Sequence, residues 1–331
     1  MRVLVTGAGG FIGRHLTDTL LRRGRIAGAD GTPTAIDELV LVDRAPVAPP
    51  TAASGVSITA LAGDLRDDGL LAEAMAGGVD SLFHLAATLT IDAERDLDTG
   101  WAVNLQLPFR LLEACRRAGT RPRFVYASSI AVFGGALPDR VSDTQVQTPK
   151  TSYGTAKAVT ELLVNDYTRH GFVDGRALRL PIVLIRPGEP APAVSDIIAG
   201  LVREPLRGRP VVSPLPEDAR FPVVSARRVA GNLVRLHDAP ATAFGDSRAV
   251  NQPGLTVSVG DMLAALARVA GPEAAALVRI EPDEAIRRVV AGWPTEFVSD
   301  ARLDPALRPD PDFETILRGH LRDHPDATGR A

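Results

Sequence analysis

An apolar run, a glycine turn and an amphipathic helix follow one another within the first two dozen residues, and few folds begin this way. Val3-Leu-Val-Thr ends in Gly7-Ala-Gly-Gly-Phe-Ile-Gly13. Ile12, Leu16 and Leu20 then recur at helical spacing, and Arg22, Arg23 and Gly24 close the pattern. In a strand–turn–helix context, absent side chains let backbone N–H groups and the helix N-terminus approach a pyrophosphate. The glycines at 7, 10 and 13 form Gly-x-x-Gly-x-x-Gly rather than Gly-x-Gly-x-x-Gly, because Ile12 stands where the last glycine of that form would be. Gly7, Gly9, Gly10, Phe11, Ile12 and Gly13 are thus candidates for holding a dinucleotide. The alternative is a glycine turn that serves only the fold.

The chain then alternates. Residues 25–37 read as a polar loop and Glu38–Asp43 as a second strand. Asp43, at its C-terminal end, can accept hydrogen bonds from adenosine ribose hydroxyls and repels a 2′-phosphate. That favours NAD, while Arg44 keeps NADP open. Residues 45–53 form a Pro/Ala-rich loop. A third strand, 56–60, runs to Gly63-Asp64-Leu65, where Asp64 either reaches the adenine amino group or caps the next helix. A fourth strand over 81–87 ends in Leu85-Ala86-Ala87, small enough for a cofactor to lie against the backbone, and His84 reads as structural. Residues 101–118 read as a helix with Leu105, Phe109 and Leu112 on one face. A fifth strand spans 123–129, a long loop 135–152, a helix begins at Tyr153, and a sixth strand, 176–180, ends at Pro181. This order predicts an α/β fold, a doubly wound parallel (Rossmann) sheet over 1–180. Residues 181–331 are expected to form a smaller α+β substrate lid, with some segments returning to the first unit. Helices are expected at 195–203, 225–237, 258–270 and 282–291, and a frayed polar tail after His324.

Tyr153 and Lys157 stand four residues apart. On a helix they share a face, so an ammonium beside the phenol favours phenolate and makes a general base for an alcohol. The same spacing also arises by chance in many helices. Pro108 has no N–H for the Asn104 carbonyl. That carbonyl can hold a water relaying protons to Lys157, or the proline simply marks a kink.

With 45% hydrophobic and 23% charged residues and a net charge of −3, the 331-residue chain has no basic surface excess for nucleic acid or an anionic membrane. Its single cysteine, Cys115, sits in a helical pattern as a small buried residue, permits no internal disulfide and fits a cytoplasmic setting. The start runs into glycines too soon for a signal peptide, and no apolar run is long enough to span a bilayer. No metal-ligand pattern stands out.

Taken in order, these motifs resemble the extended short-chain dehydrogenase/reductase superfamily of NAD-dependent epimerase/dehydratase enzymes. Gly7, Gly10 and Gly13 match its cofactor loop and Asp43 its ribose acid. Ser129, counted back from Val132-Phe-Gly134, matches its catalytic serine, and Tyr153 and Lys157 match its Tyr-x-x-x-Lys pair. The resemblance implies catalysis by Ser129, Tyr153 and Lys157, with Pro181 shaping the nicotinamide pocket; the Asn104 relay rests on Pro108 alone. Ile36–Asp43, Ser128–Gly135, Glu161–Tyr167, Gly171–Pro181 and Arg186-Pro-Gly188 look closer still to the D-erythronate dehydrogenase family, which implies NAD-dependent oxidation of a sugar acid at C2. The chain departs from that family at Ile91, Ile182 and Glu189–Asp196, near where substrate should lie. Candidate substrate residues are Thr88, Ser129, Tyr153, Arg179, Arg186 and Ser225, with Arg227 a further cation. A nucleotide-sugar epimerase or reductase would instead use Arg203, Arg207 and Arg209 for a pyrophosphate. A dehydratase is disfavoured by Ile130-Ala131, where that class carries an Asp-Glu pair, and a sensor of NAD would have no use for a base. Helices 101–118 and 153–169 can pair across a twofold axis into a homodimer, although burial within one chain explains the same pattern.

Overall fold

The computed structural model describes residues 1–48, 55–188, 194–301, 303 and 306–325. At its centre is a seven-stranded sheet of β1 (Arg2–Thr6), β2 (Glu38–Asp43), β3 (Ser57–Ala62), β4 (Ser81–His84), β5 (Arg123–Ser129), β6 (Asp174–Leu180) and β7 (Ala249–Asn251), in the order β7-β6-β5-β4-β1-β2-β3. Every pairing is parallel. The strand order reverses at β1, next to β4, and the crevice at such a reversal is where open α/β sheets bind ligands.

The strands are nearly unbroken apolar runs because helices cover both faces. On one face lie α1 (Phe11–Arg23) and α5 (Ala226–Asp238); on the other lie α2 (Asp68–Met75), α3 (Leu107–Ala118) and α4 (Ser152–Arg169). The period of two divides β1 between them. Val3 and Val5 join Leu16, Leu20, Val229 and Leu233, whereas Leu4 joins Leu71, Leu111 and Val164.

Residues from beyond 180 complete this body. β7 pairs with β6, and fully buried Arg176 donates to the carbonyls of Leu236, His237 and Ala239 at 2.8, 2.6 and 2.7 Å. A cation at the C-terminal end of α5 is favoured by the helix dipole. The remaining chain builds a second core. It contains a three-stranded sheet of Ile182–Leu184, Arg220–Ser225 and Leu255–Ser258, with helices Val194–Leu206, Val259–Ala270 and Phe313–Asp323 packed on it.

Several expectations change. The stretch 25–37 is a hairpin of Arg25–Ala27 and Pro33–Ala35, not a loop. The helix expected over 101–118 is helix Leu97–Trp101, a π-helical turn Ala102–Gln106 and then α3. The wider turn accommodates the hydrogen bond that Pro108 cannot donate. Phe109 is 42% exposed rather than on the buried face. Helices Thr90–Arg95 and Phe313–Asp323 carried no clear signal of their own. Parts of the Pro/Ala loop and of the proline-rich Glu189–Asp196 stretch (residues 49–54 and 189–193) lie outside the described residues. Among the described residues no helix is long and apolar enough to cross a membrane.

Candidate active site

The glycine turn bends back on itself for reasons visible at each position. Gly7 has φ +72°, and a Cβ there would lie 2.7 Å from the Ala86 nitrogen. At Gly13 a Cβ would lie 2.1 Å from the Gly7 carbonyl oxygen, so only hydrogen fits where α1 crosses β1. Gly10, the N-cap of α1, offers no side-chain cap, and the first turn carries no acid. Its leading N–H groups are therefore left for an anion. Asp43 Oδ2 accepts the Gly9 N–H at 2.9 Å and pins the turn against the end of β2.

A cleft of about 280 Å³ opens from this turn. It gathers Gly7, Gly10, Asp43, Arg44, Asp64, Leu65, Leu85, Ala86, Ala87 and Thr88, residues from the ends of four strands. Val42, Gly63, Arg66, Thr99, Val103 and Leu107 also line it, and sequence reasoning did not single these out. Gly63 and Arg66 flank Asp64-Leu65 and are within reach of that motif; Thr99, Val103 and Leu107 come from the stretch around the π-helical turn, where the sequence marks only the Pro108–Asn104 break. Asp64 is not a helix cap. It binds Arg66 through a 2.6 Å ion pair, and Asp67 caps α2 instead, accepting the Leu70 N–H at 2.9 Å. An uncapped helix start, a glycine cradle and a carboxylate at the end of β2 fit a dinucleotide.

Ser129 ends β5, paired in register with Leu180, the last residue of β6 and the neighbour of buried Pro181. Its hydroxyl accepts the Ala131 N–H at 3.1 Å, which starts the turn Ile130–Val132. α4 begins against that turn, capped by Thr151, whose hydroxyl accepts the Gly154 N–H at 3.0 Å. Ser129 and Tyr153 are each half-buried, whereas Lys157 is 2% exposed. The Lys157 ammonium donates to the Ala127 carbonyl at 2.8 Å and lies 4.7 Å from the Tyr126 ring centroid and 5.5 Å from that of Tyr153. The Ser129 and Tyr153 hydroxyls are thus neighbours, with a buried cation near the Tyr153 ring.

Burial pushes the Tyr153 phenol up to about 12, while the Ser129 hydroxyl beside it acts to lower it. The same burial pulls Lys157 down to about 7, with the Glu161 carboxylate acting to raise it. From spacing alone the cation should draw the phenol down; the shift runs the other way here because desolvation of both charged forms outweighs their attraction. With the phenol raised and the ammonium lowered, Lys157 is the first of the two to give up a proton; phenolate–ammonium and phenol–amine are two placements of the proton that remains.

The other candidates separate clearly. Arg179, 4% exposed, is a buried ion-pair partner rather than a substrate cation. It donates to both Glu161 oxygens, to Oε1 at 3.1 Å and to Oε2 at 2.8 Å, and to the Asp143 carbonyl at 3.0 Å. Ser225 and Arg227 line a different cleft of about 260 Å³ between α1, α5 and helix Phe313–Asp323, which also takes Phe11. There the Ser225 hydroxyl caps α5 and donates to Asp310 at 2.8 Å, and Arg227 pairs with Asp323. Arg186 is exposed beside the undescribed 189–193 stretch. Asn104, 2% exposed, clamps Thr88 through two bonds of 3.0 and 3.1 Å, and its carbonyl accepts the Thr160 hydroxyl of α4 at 3.3 Å. Ile12 packs against the core below the turn. His84 is buried, bonded to Thr6 at 2.7 Å and pushed down to about 3 by burial and by Lys157, so it is neutral. Buried Cys115 is pushed up to about 12. Among the described residues no group of His, Cys, Asp or Glu could hold a metal ion.

Residues 3–247 match the NAD dependent epimerase/dehydratase family. The chain is 39% identical to a D-erythronate dehydrogenase of Cupriavidus necator over 98% of both chains, and 35% identical to one of Haemophilus influenzae over 96% of this chain and 98% of the other. Among solved structures, a nucleoside-diphosphate-sugar epimerase from Agrobacterium tumefaciens superposes with a TM-score of 0.88 at 37% identity, over 100% of this chain and 96% of that one.

Proposed function

The chain belongs to the NAD dependent epimerase/dehydratase family, and from there we propose that it is an NAD-dependent dehydrogenase. Its substrate on this reading is a small sugar acid like D-erythronate, oxidised at the C2 hydroxyl to the 2-keto acid. The observation that carries the reading is the half-buried Ser129–Tyr153 pair with Lys157 buried next to it, at the end of β5 in the same sheet whose other strand ends form the glycine cleft. Relatives named D-erythronate dehydrogenase supply the substrate class.

NAD, when bound, supplies the hydride acceptor. Gly7–Gly13 and the start of α1 hold its pyrophosphate, Asp43 the adenosine ribose with Arg44 alongside, and Asp64-Leu65 the adenine. Leu85–Ala87, Asn104, Tyr153, Lys157 and Pro181 line the nicotinamide end. Tyr153 takes the proton from the substrate hydroxyl, Ser129 hydrogen-bonds the same oxygen, and Lys157 supplies the charge that makes phenolate accessible. The Asn104 carbonyl, which already accepts the Thr160 hydroxyl, would use its second lone pair to hold a water that passes protons between Lys157 and solvent. Residues 1–180 with the adjoining Pro181 provide this machinery, and the second body presents the substrate.

These roles set the pH dependence and the cofactor preference. Because the pair must have lost one proton to act as a base, kcat/KM should rise with pH through about 7 and hold until the second proton leaves near 12 or the fold fails. A profile falling through neutrality would contradict the assignment. Asp43→Ser should raise KM for NAD about tenfold, on the order of 1.4 kcal/mol for lost charge-assisted bonds, and narrow the preference over NADP. Steady-state kinetics with both cofactors reads this directly.

The likeness to the Agrobacterium nucleoside-diphosphate-sugar epimerase favours a second reading, a nucleotide-sugar epimerase. Against it, the arginines suited to a substrate pyrophosphate are engaged elsewhere. Arg203 pairs with Asp196 and Glu204 at 2.9 Å each, and Arg209 pairs with Glu204 at 2.7 Å. Arg207 donates to the Gly188 carbonyl at 2.9 Å. Incubation with NAD and a panel of aldonates, uronates and nucleotide sugars separates the readings. Net NADH with an aldonate supports the dehydrogenase, and product without net NADH supports the epimerase. The absence of any chemistry would point to a sensor of NAD.

A further inference from the structure

One buried carboxylate sits among the candidate catalytic groups without a role in the reaction just described. Glu161, 3% exposed, stands one helical turn beyond Lys157 on α4. Four donors converge on it: Arg179 through Nε at 3.0 Å and Nη2 at 2.8 Å, the Ser128 hydroxyl, and the Gln147 side-chain amide. The three residues that supply them come from different elements that shape the site. Ser128 precedes Ser129 on β5, Arg179 lies two residues before Pro181 on β6, and Gln147 belongs to the loop between β5 and α4. The same loop closes on Arg179 through the Asp143 carbonyl at 3.0 Å.

We propose that Glu161 is a positioning residue for the Ser129–Tyr153–Lys157 group: its carboxylate holds α4 in register with the ends of β5 and β6 and supplies the counter-charge that Lys157 lacks. The inference rests on the proposed Ser/Tyr/Lys reading for its consequence in catalysis, but not for its electrostatic part. The groups around Lys157 bear this out. β4 offers neutral His84, β5 the Tyr126 ring and the Ala127 carbonyl, and α4 itself Tyr153 and Glu161. β6 brings Arg179, a second cation, and Glu161 lies against it. Asp143 of the loop serves Asn251, Ser299, Asp300 and Ala301 through its carboxylate. Of these groups Glu161 is the anion placed for Lys157. Breaking one partner of such a buried set leaves uncompensated charge. Glu161→Gln would leave Arg179 without its ion-pair partner and Lys157 without the carboxylate one helical turn away.

Lys150 and Lys157 are the two lysines of the chain. Lysine labelled at the ε-carbon therefore gives two resonances, of which the buried one reports Lys157 without substrate or cofactor. In Glu161→Gln the Lys157 midpoint should move to lower pH by about one unit, the size expected for losing a nearby opposite charge. Glu161→Asp should restore most of it. In turnover, the rise of kcat/KM should move to lower pH in Glu161→Gln, and its plateau should drop about tenfold or more. A purely structural glutamate would lower the plateau and leave the rise in place. If Glu161→Gln does not fold, Glu161→Gln with Arg179→Gln removes the orphaned cation and should still lower the Lys157 midpoint, by less. An unmoved Lys157 midpoint in the folded variant overturns the proposal. The resonance decides this even if no alcohol is ever oxidised, so failure of the proposal and failure of the dehydrogenase reading are distinguishable.

Discussion

Tyr153→Phe should lower kcat by ~10²–10⁴-fold, the usual contribution of a positioned general base, while leaving the affinity for NAD nearly unchanged. The substitution removes one oxygen and keeps the ring. Packing over Lys157, at 5.5 Å from the ring centroid, survives, and so does the start of α4, which depends on the Thr151 cap. The glycine cleft is built from the ends of β1, β2, β3 and β4 and does not depend on the hydroxyl. Cofactor binding followed by fluorescence quenching, alongside NADH formation from a sugar acid, separates the two effects. Substantial residual turnover would remove Tyr153 from the mechanism.

The second large effect is expected at Gly154, which no motif singles out beyond its place beside Tyr153. A Cβ there would stand 2.1 Å from the Ala131 carbonyl oxygen and 2.9 Å from its carbon. Both are backbone atoms of the turn that follows Ser129, so relief requires α4 to back away from β5. Overpacking of this kind costs roughly 1–3 kcal/mol in stability. A displacement of about 1 Å between reacting groups can cost ~10²-fold in rate. Gly154→Ala should therefore lose about that factor in kcat and melt earlier. Gly319→Ala is the control: it adds a Cβ with nothing within 4 Å, in the interior of helix Phe313–Asp323, and should gain up to about 1 kcal/mol. Wild-type kcat in Gly154→Ala would show that the α4–β5 contact does not set the geometry.

Much of the architecture is legible in the order of residues. The strands expected around Val3, 38–43, 123–129 and 176–180 and the helices at 153–169, 225–237 and 258–270 all appear within a few residues. Their signals are local: apolar runs between glycine turns, and side chains repeating at 3.6 residues. The failures have a common cause. The hairpin at 25–37 and the π turn at 102–106 arise where polar or proline-bearing segments are held by neighbours, and no periodicity announces that. Phe109 followed the helical period and still emerged exposed, because period places a residue on a face without saying what that face meets.

The site divides along the same line. Which residues stand at strand ends, that only glycine suits positions 7 and 13, and that Tyr153 and Lys157 share a helix face are consequences of short-range order. The sequence determines these because each depends on neighbours within a turn or a strand. The tertiary structure alone decided that Ser128 turns inward to Glu161 while Ser129 stays half-exposed, that Arg179 spends its charge on Glu161, and that Ser225 caps α5. It also reversed the electrostatics of the Tyr153–Lys157 pair. Coulomb attraction can be guessed from spacing, but desolvation depends on how much of the whole chain closes over a charge, and that is a property of packing between residues far apart in sequence.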